Sequence, residues 1–156
     1  MAFIEKSIRV ARPVRTVYDQ WTQFEEFPRF MEGVKEVQQL GERHLRWHAE
    51  IAGGDMEWEA EITHQEPDSR IAWRNTGGAY NAGLVTFQPD EGGTRVTLRI
   101  DYEPEGVLQK IGDALGFVSR RVEGDLERFR HFIEERGEAT GAWRGEINTH
   151  PHTGQY

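Results

Sequence analysis

The stretch that decides the fold is LRWHAEIAGGDMEWEAEI, residues 45–62. Leu45, Trp47, Ala49 and Ile51 alternate with Arg46, His48 and Glu50. After Gly53-Gly54-Asp55 the alternation resumes, with Met56, Trp58, Ala60 and Ile62 set against Glu57, Glu59 and Glu61. A side-chain period of two, with every apolar residue in one register, describes a strand with one covered and one wetted face. A gap this short between two such strands describes a hairpin. The pattern predicts an antiparallel sheet whose aromatic face is covered by another element.

The same period extends on both sides. Val34–Leu40, Ile71–Asn75, Gly83–Gln88 and Thr94–Tyr102 carry strand signals, separated by turn residues at Gly41-Glu42, Pro67-Asp68-Ser69, Gly77-Gly78 and Pro89-Asp90-Glu91-Gly92-Gly93. Their registers place Ile71, Trp73, Asn75, Val85, Phe87, Val96, Leu98, Ile100 and Tyr102 on the covered face. Upstream, Phe3–Val10 (FIEKSIRV) predicts a first strand that stops at Arg12-Pro13. Val14, Val17, Tyr18 and Trp21 then recur at helical spacing, and Phe24–Met31 (FEEFPRFM) reads as a second short helix or lid-like loop interrupted by Pro28. After Pro104-Glu105-Gly106 the period becomes helical through Arg136. Val107, Ile111, Leu115, Val118, Val122, Leu126, Phe129 and Ile133 form a stripe, and Gly137 marks the end. Gly112 and Gly116 remove bulk from that helix, leaving either close packing or room for a ligand. Residues 138–156 read as an irregular tail in which Trp143 is a candidate anchor.

Composition narrows the function classes. With 156 residues one domain is expected, residues 1–137, followed by the tail. A formal net charge of -8 provides no basic footprint, so nucleic acid is not an expected partner. There is no cysteine, which removes disulfides and thiolate chemistry. The N-terminus lacks the pattern of a signal peptide, and no apolar run reaches the ~20 residues that span a bilayer. The expectation is a soluble cytoplasmic protein without membrane insertion, with monomer and homodimer both open. His44 and His48 lie too far apart on one strand to clamp a metal without a partner strand, and His150-Pro151-His152 lacks a third ordered ligand, so no metal is expected. Neither a phosphate-binding glycine loop nor a nucleophile elbow is present, and no cofactor is expected.

The predicted inner wall is therefore aromatic and nearly free of ionisable groups, with Tyr102 and Asn75 as its inward polarity. A group that performs acid–base work has to reach the substrate inside the cavity. On this count Tyr102 is the candidate proton donor, with Asn75 either orienting a carbonyl or capping the Thr76-Gly77-Gly78 turn. The mixed charges of Arg120, Arg121, Glu123, Asp125, Glu127 and Arg128 read as the solvated face of the long helix.

The order strand, two short helices, six strands, long helix resembles the START-like or SRPBCC superfamily, and within it the polyketide cyclase/dehydrase group and the related coenzyme Q-binding proteins. Three stretches carry the resemblance: VYDQWTQFEEFPRFMEGVKEV (Val17–Val37), GLVTFQPDEGGTRVTLRIDYEPEG (Gly83–Gly106) and EGDLERFRHFIEERG (Glu123–Gly137). It implies an α+β helix-grip fold of the START/Bet v 1 type, a curved seven-stranded antiparallel sheet around a long C-terminal helix. It also implies a cavity between them with Trp47, Trp58, Trp73, Phe87 and Tyr102 as floor, Leu115 and Val118 as roof, and Phe27, Phe30 and Met31 as rim. The function expected first is binding of a small hydrophobic or aromatic ligand, such as a polyketide, isoprenoid quinone or lipid. An aromatase/cyclase or dehydratase is the second expectation. A protein-interaction module docking through Phe24–Met31 is the third.

Overall fold

The computed structural model describes residues 2–51, 54–77, 81–102 and 114–148. Within this range the side chains of Ala2, Ile51, Tyr102, Asn148 and residues 114–117 are not among those described. The expectations placed on Pro104-Glu105-Gly106, Val107, Ile111 and Gly112, on the side chains of Tyr102 and Leu115, and on His150 and His152 lie outside the described residues.

Seven strands follow the alternating segments: β1 (Ala2–Val10), β2 (Val34–Gln39), β3 (His44–Ile51), β4 (Gly54–Glu66), β5 (Arg70–Asn75), β6 (Asn81–Asp90) and β7 (Gly93–Tyr102). They lie in the order β1-β7-β6-β5-β4-β3-β2, with every neighbouring pair antiparallel. The chain makes hairpin after hairpin from β2 to β7 and then pairs β7 with β1, so the first two strands form the two edges. Residues 11–33 carry the chain between those edges as α1 (Val14–Trp21) and a 3₁₀ segment (Phe24–Arg29). Pro28 fits this short 3₁₀ turn better than an α-helix, whose interior amide bond it would remove.

The pairing places the inward residues where period two predicts. Trp47 faces Trp58, Ala49 faces Met56, and Leu45 faces Ala60. Ile71 faces Val85 and Trp73 faces Gly83, while Val85 faces Leu98 and Phe87 faces Val96. α2 (Ala114–Arg136) covers this face, burying Val122, Leu126, Phe129 and Ile133. Gly137 closes it through a bond from its amide to the Ile133 carbonyl at 2.9 Å. Glu134 ties α2 to the exit of β1, accepting from the Ala11 amide at 2.8 Å, while its carbonyl accepts from the Arg12 guanidinium.

Two departures from the sequence reading concern β4 and the tail. β4 continues beyond Ile62 through Thr63, His64 and Gln65, and all four residues are buried. A register shift at Ile62/His64 breaks the alternation, and β8 (Ile147–Asn148) pairs with His64 and Gln65 just beyond the last β3 partner at Glu61. The segment leading to β8 lacks helix and strand, yet it is held. Gln20 and Thr140 exchange two hydrogen bonds at 2.9 and 3.1 Å, and the Trp143 amide donates to Thr22 Oγ1 at 3.1 Å. Arg144 reaches Asp19 at 2.5 Å and Asp68 at 2.7 Å. Polar residues such as Thr63 and Gln20 carry no apolar period, so the sequence has no periodic signal for this contact.

Candidate functional site

The space between α2 and the sheet divides into a filled end and a hollow end. At the filled end Tyr18, Trp21, Phe27, Phe30, Phe87 and Phe129 pack edge to face. Trp21 lies 4.8 Å from Phe129, Phe30 lies 5.1 Å from Phe129, and Tyr18 lies 5.3 Å from Phe87, all between ring centroids. Such tilted pairs match the ring quadrupoles and leave little void. Phe87 and Phe30, expected as floor and rim, belong to this solid packing and do not line the cavity. The reason is α1, whose Tyr18 and Trp21 occupy the space above Phe87. Val118 is half-buried against the core and is likewise not among the lining residues.

The hollow end holds a cavity of about 180 Å³. Trp47, Trp58 and Trp73 line it from the sheet together with Ala49, Leu98 and Ile100, while Trp21, Phe27 and Met31 line it from the connection between the sheet edges. The expected floor tryptophans and the expected rim residues Phe27 and Met31 are thus brought together. Trp47 and Trp58, directly paired across β3 and β4, stack with ring planes 3° apart and centroids 5.9 Å apart. Phe27 and Phe30 are each 2% exposed, so the FEEFPRFM segment turns its aromatic rings inward and offers no aromatic docking face.

The inward polarity differs from the sequence reading. Asn75 turns into the β5–β6 connection, donating to the Gly77 carbonyl at 2.5 Å and accepting from the Asn81 amide at 2.9 Å. That is the turn-capping alternative, favoured because Asn side chains bond their own backbone locally. Among the described residues the polar lining of the cavity consists of Glu32, Asn81, Arg121 and Asp125. Arg121 and Asp125, read from sequence as part of a solvated face, hold the mouth instead. The Arg121 guanidinium donates to the Glu32 carbonyl at 2.7 Å, and the Glu32 amide donates to Asp125 Oδ1 at 3.1 Å. Arg128 joins both sides, donating to Asp125 Oδ1 at 2.6 Å and to the Phe30 carbonyl at 2.9 Å. Gly33 permits the close approach: its φ is +85°, and a Cβ there would lie 2.3 Å from Arg121 Nη1. The signal for Asp125 was present in the helical stripe, because position 125 lies three residues after Val122 and four before Phe129.

Burial pushes the Asp125 carboxyl up to about 6, while its hydrogen bonds from Arg128 and the Glu32 amide, and the nearby Arg121 charge, oppose the shift. A carboxyl at the cavity wall that exchanges its proton near neutrality can bond a ligand either as acceptor or as donor. On the outer face His48 Nε2 lies 3.9 Å from Asp55. No group of three or more His, Asp or Glu side chains converges as for a metal among the described residues.

A sequence profile described as "Polyketide cyclase / dehydrase and lipid transport" matches residues 10–130. The chain belongs to this family. Among its relatives is an uncharacterised 17.2 kDa protein in the melC2-rnhH intergenic region of Streptomyces lincolnensis, 50% identical over 149 residues that cover 94% of this chain and 99% of the relative. Solved structures that share the fold of this family member include the Zhui aromatase/cyclase from a Streptomyces species and a START superfamily protein from Mycobacterium smegmatis. The former is 18% identical with a TM-score of 0.73, covering 91% of this chain and 99% of the other. The latter is 18% identical with a TM-score of 0.67, covering 86% and 95%. The helix-grip architecture expected from sequence is therefore that of the family. No helix among the described residues is long and apolar enough to cross a membrane.

Proposed function

We propose that this family member binds a small hydrophobic or aromatic ligand in the cavity between α2 and the sheet, as a cytoplasmic carrier or sequestering protein formed by residues 1–137. The observation that carries the reading is the lining itself: three tryptophans of the sheet, Phe27 and Met31 border a cavity among the described residues, with Glu32, Arg121 and Asp125 joined by hydrogen bonds along it. Such a division suits a ligand whose affinity comes from apolar burial and whose orientation is set by a few polar contacts. Titration of intrinsic tryptophan fluorescence with apolar ligands tests it. Trp58→Ala is expected to weaken binding at least tenfold while the protein stays folded; unchanged affinity removes the assignment of this floor.

A second reading, aromatase/cyclase or dehydratase turnover, draws on Asp125. Its carboxyl has the burial and the proton affinity that general acid–base work requires. Tyr102, whose backbone pairs with Asn81 across β6 and β7, is retained as a further candidate acid. Turnover of a poly-β-ketone mimic that persists in Asp125→Asn and in Tyr102→Phe removes both roles.

A further inference from the structure

Trp73 and Gly83 form a pair whose geometry bears on what the cavity admits. They face each other across β5 and β6, and Gly83 also faces Ile100 on β7. Both residues stand on the inner side of the sheet. The Trp73 indole lies down over the glycine: a Cβ built on Gly83 would fall 2.2 Å from Trp73 Cζ2, 2.4 Å from Cε2 and 2.8 Å from Nε1. No side chain larger than hydrogen allows the ring that position. A glycine inside a strand is otherwise a weak choice, since it adds backbone entropy to the unfolded state and packs nothing. Covering a strand glycine with a cross-strand aromatic repairs the sheet locally. Here it has a second result, because the ring that lies flat on Gly83 is also a wall of the cavity. Any group at position 83 would lift the indole off the sheet, and off the sheet on this side means toward α2 and into the hollow end.

The volume and the donors of the lining indicate what fits. A cavity of about 180 Å³ is near the roughly 150 Å³ that accommodates a single benzene-sized guest. It falls below the roughly 300–1,000 Å³ of sites that enclose drug-sized ligands. Asn81 and Arg121 line the cavity beside the aromatic rings, and both side chains carry N–H donors. A ligand oxygen that accepts from such a donor fixes the ligand's orientation in a site whose wall is otherwise largely apolar.

Resting on the ligand-binding reading above, we infer that Trp73 seated on Gly83 is the size gauge of the cavity, and that the ligand is a compact planar molecule of one or two rings bearing a carbonyl-type oxygen, not a long acyl chain. Gly83 acts as a positioning residue through Trp73. It has no side chain with which to touch the ligand.

The test uses the full chain and three probes, 1-tetralone (a two-ring ketone), tetralin (the same rings without the oxygen) and palmitate, titrated calorimetrically against wild type, Gly83→Ala and Trp73→Ala. Circular dichroism and thermal melts establish that each variant is folded. Wild type is expected to bind 1-tetralone at least tenfold tighter than either other probe. Gly83→Ala is expected to lose at least tenfold in 1-tetralone affinity, and Trp73→Ala to lose the preference against palmitate. A structural role for the pair alone would shift melting temperature without changing the order of the probes. Folded Gly83→Ala that binds 1-tetralone as wild type does, or wild type that prefers palmitate or ignores the carbonyl, overturns the inference while leaving the ligand-binding reading intact. Wild type that binds none of the three overturns both. Should Gly83→Ala fail to fold, Trp73→Ala decides: an unchanged probe order in that variant overturns the inference.

Discussion

The two ends of the space beneath α2 are built from the same residue types and behave differently. At one end Tyr18, Trp21, Phe30, Phe87 and Phe129 fill the volume with edge-to-face contacts. At the other, Trp47, Trp58 and Trp73 stand around a space that no side chain of the described residues fills. What separates them is coverage. α1 drops Tyr18 and Trp21 onto Phe87, whereas the mouth above the three sheet tryptophans is crossed by backbone at Phe30, Glu32 and Gly33, held by Arg121, Asp125 and Arg128. Main chain fastened by charged groups bridges a gap without occupying it. Aromatic content by itself therefore does not distinguish a core from a pocket.

The largest expected consequence is a contrast in stability. Phe129→Ala removes a ring from solid packing and is expected to cost about 3–5 kcal/mol, whereas the half-buried Trp58 is already bordered by space, and its replacement by Ala is expected to cost about 1–2 kcal/mol. Urea denaturation midpoints measure both, and equal losses would erase the distinction between the two ends. Next in size is the tail. Arg144→Ala leaves Asp19, whose side chain is 13% exposed, with only the longer contact to Arg15 at 3.9 Å, and releases Asp68. A loss of about 2 kcal/mol is expected from the mostly buried carboxylate deprived of its close partner. A melting temperature unchanged by Arg144→Ala would mean that residues 138–148 rest on the domain without holding it.

The smallest effect sharpens the picture of the mouth. Asp125 has its folded pKa raised from 3.8 to about 6 by burial, so folding takes up a proton between those values. Its contribution to stability is accordingly greatest at low pH and falls as pH rises through that window. Arg121 and Arg128 of α2 and Glu32 of the crossing loop are the charged groups around it. Asp125→Asn removes the titration while keeping an acceptor for the Glu32 amide. Calorimetric melting temperatures at pH 4 and pH 7.5 should show the variant gaining relative to wild type at the higher pH. A difference independent of pH would place the carboxyl in a better solvated setting.

Much of this molecule was legible in its sequence because sheet registers follow from a period of two. Among the described side chains, the inward residues of β3, β4, β5, β6 and β7 occupy the face that alternation assigns them, except Asn75, which turns into the β5–β6 connection. Phe87 shows where such reading stops: its face follows from register, but whether that face meets a ligand or Tyr18 depends on where α1 lies. Asp125 shows another limit, since charge argued for solvent while its position in the helical stripe argued for the interior, and the loop at Glu32 decided between them. Thr63, His64 and Gln65 are polar on a buried strand end because β8 and the tail return to cover it, which no local pattern announces.

The sequence by itself determined the elements, the side of the sheet that faces inward and its aromatic character, because these depend on periodicity and on turn residues a few positions apart. The tertiary structure alone decided which part of the aromatic wall is hollow, what closes it and how large the hollow is. Those properties arise where residues distant in the chain meet: Arg121 over Gly33, Tyr18 over Phe87, and the indole of Trp73 on Gly83. Volume left between packed elements is a difference between two large fillings, and no local pattern along the chain encodes it.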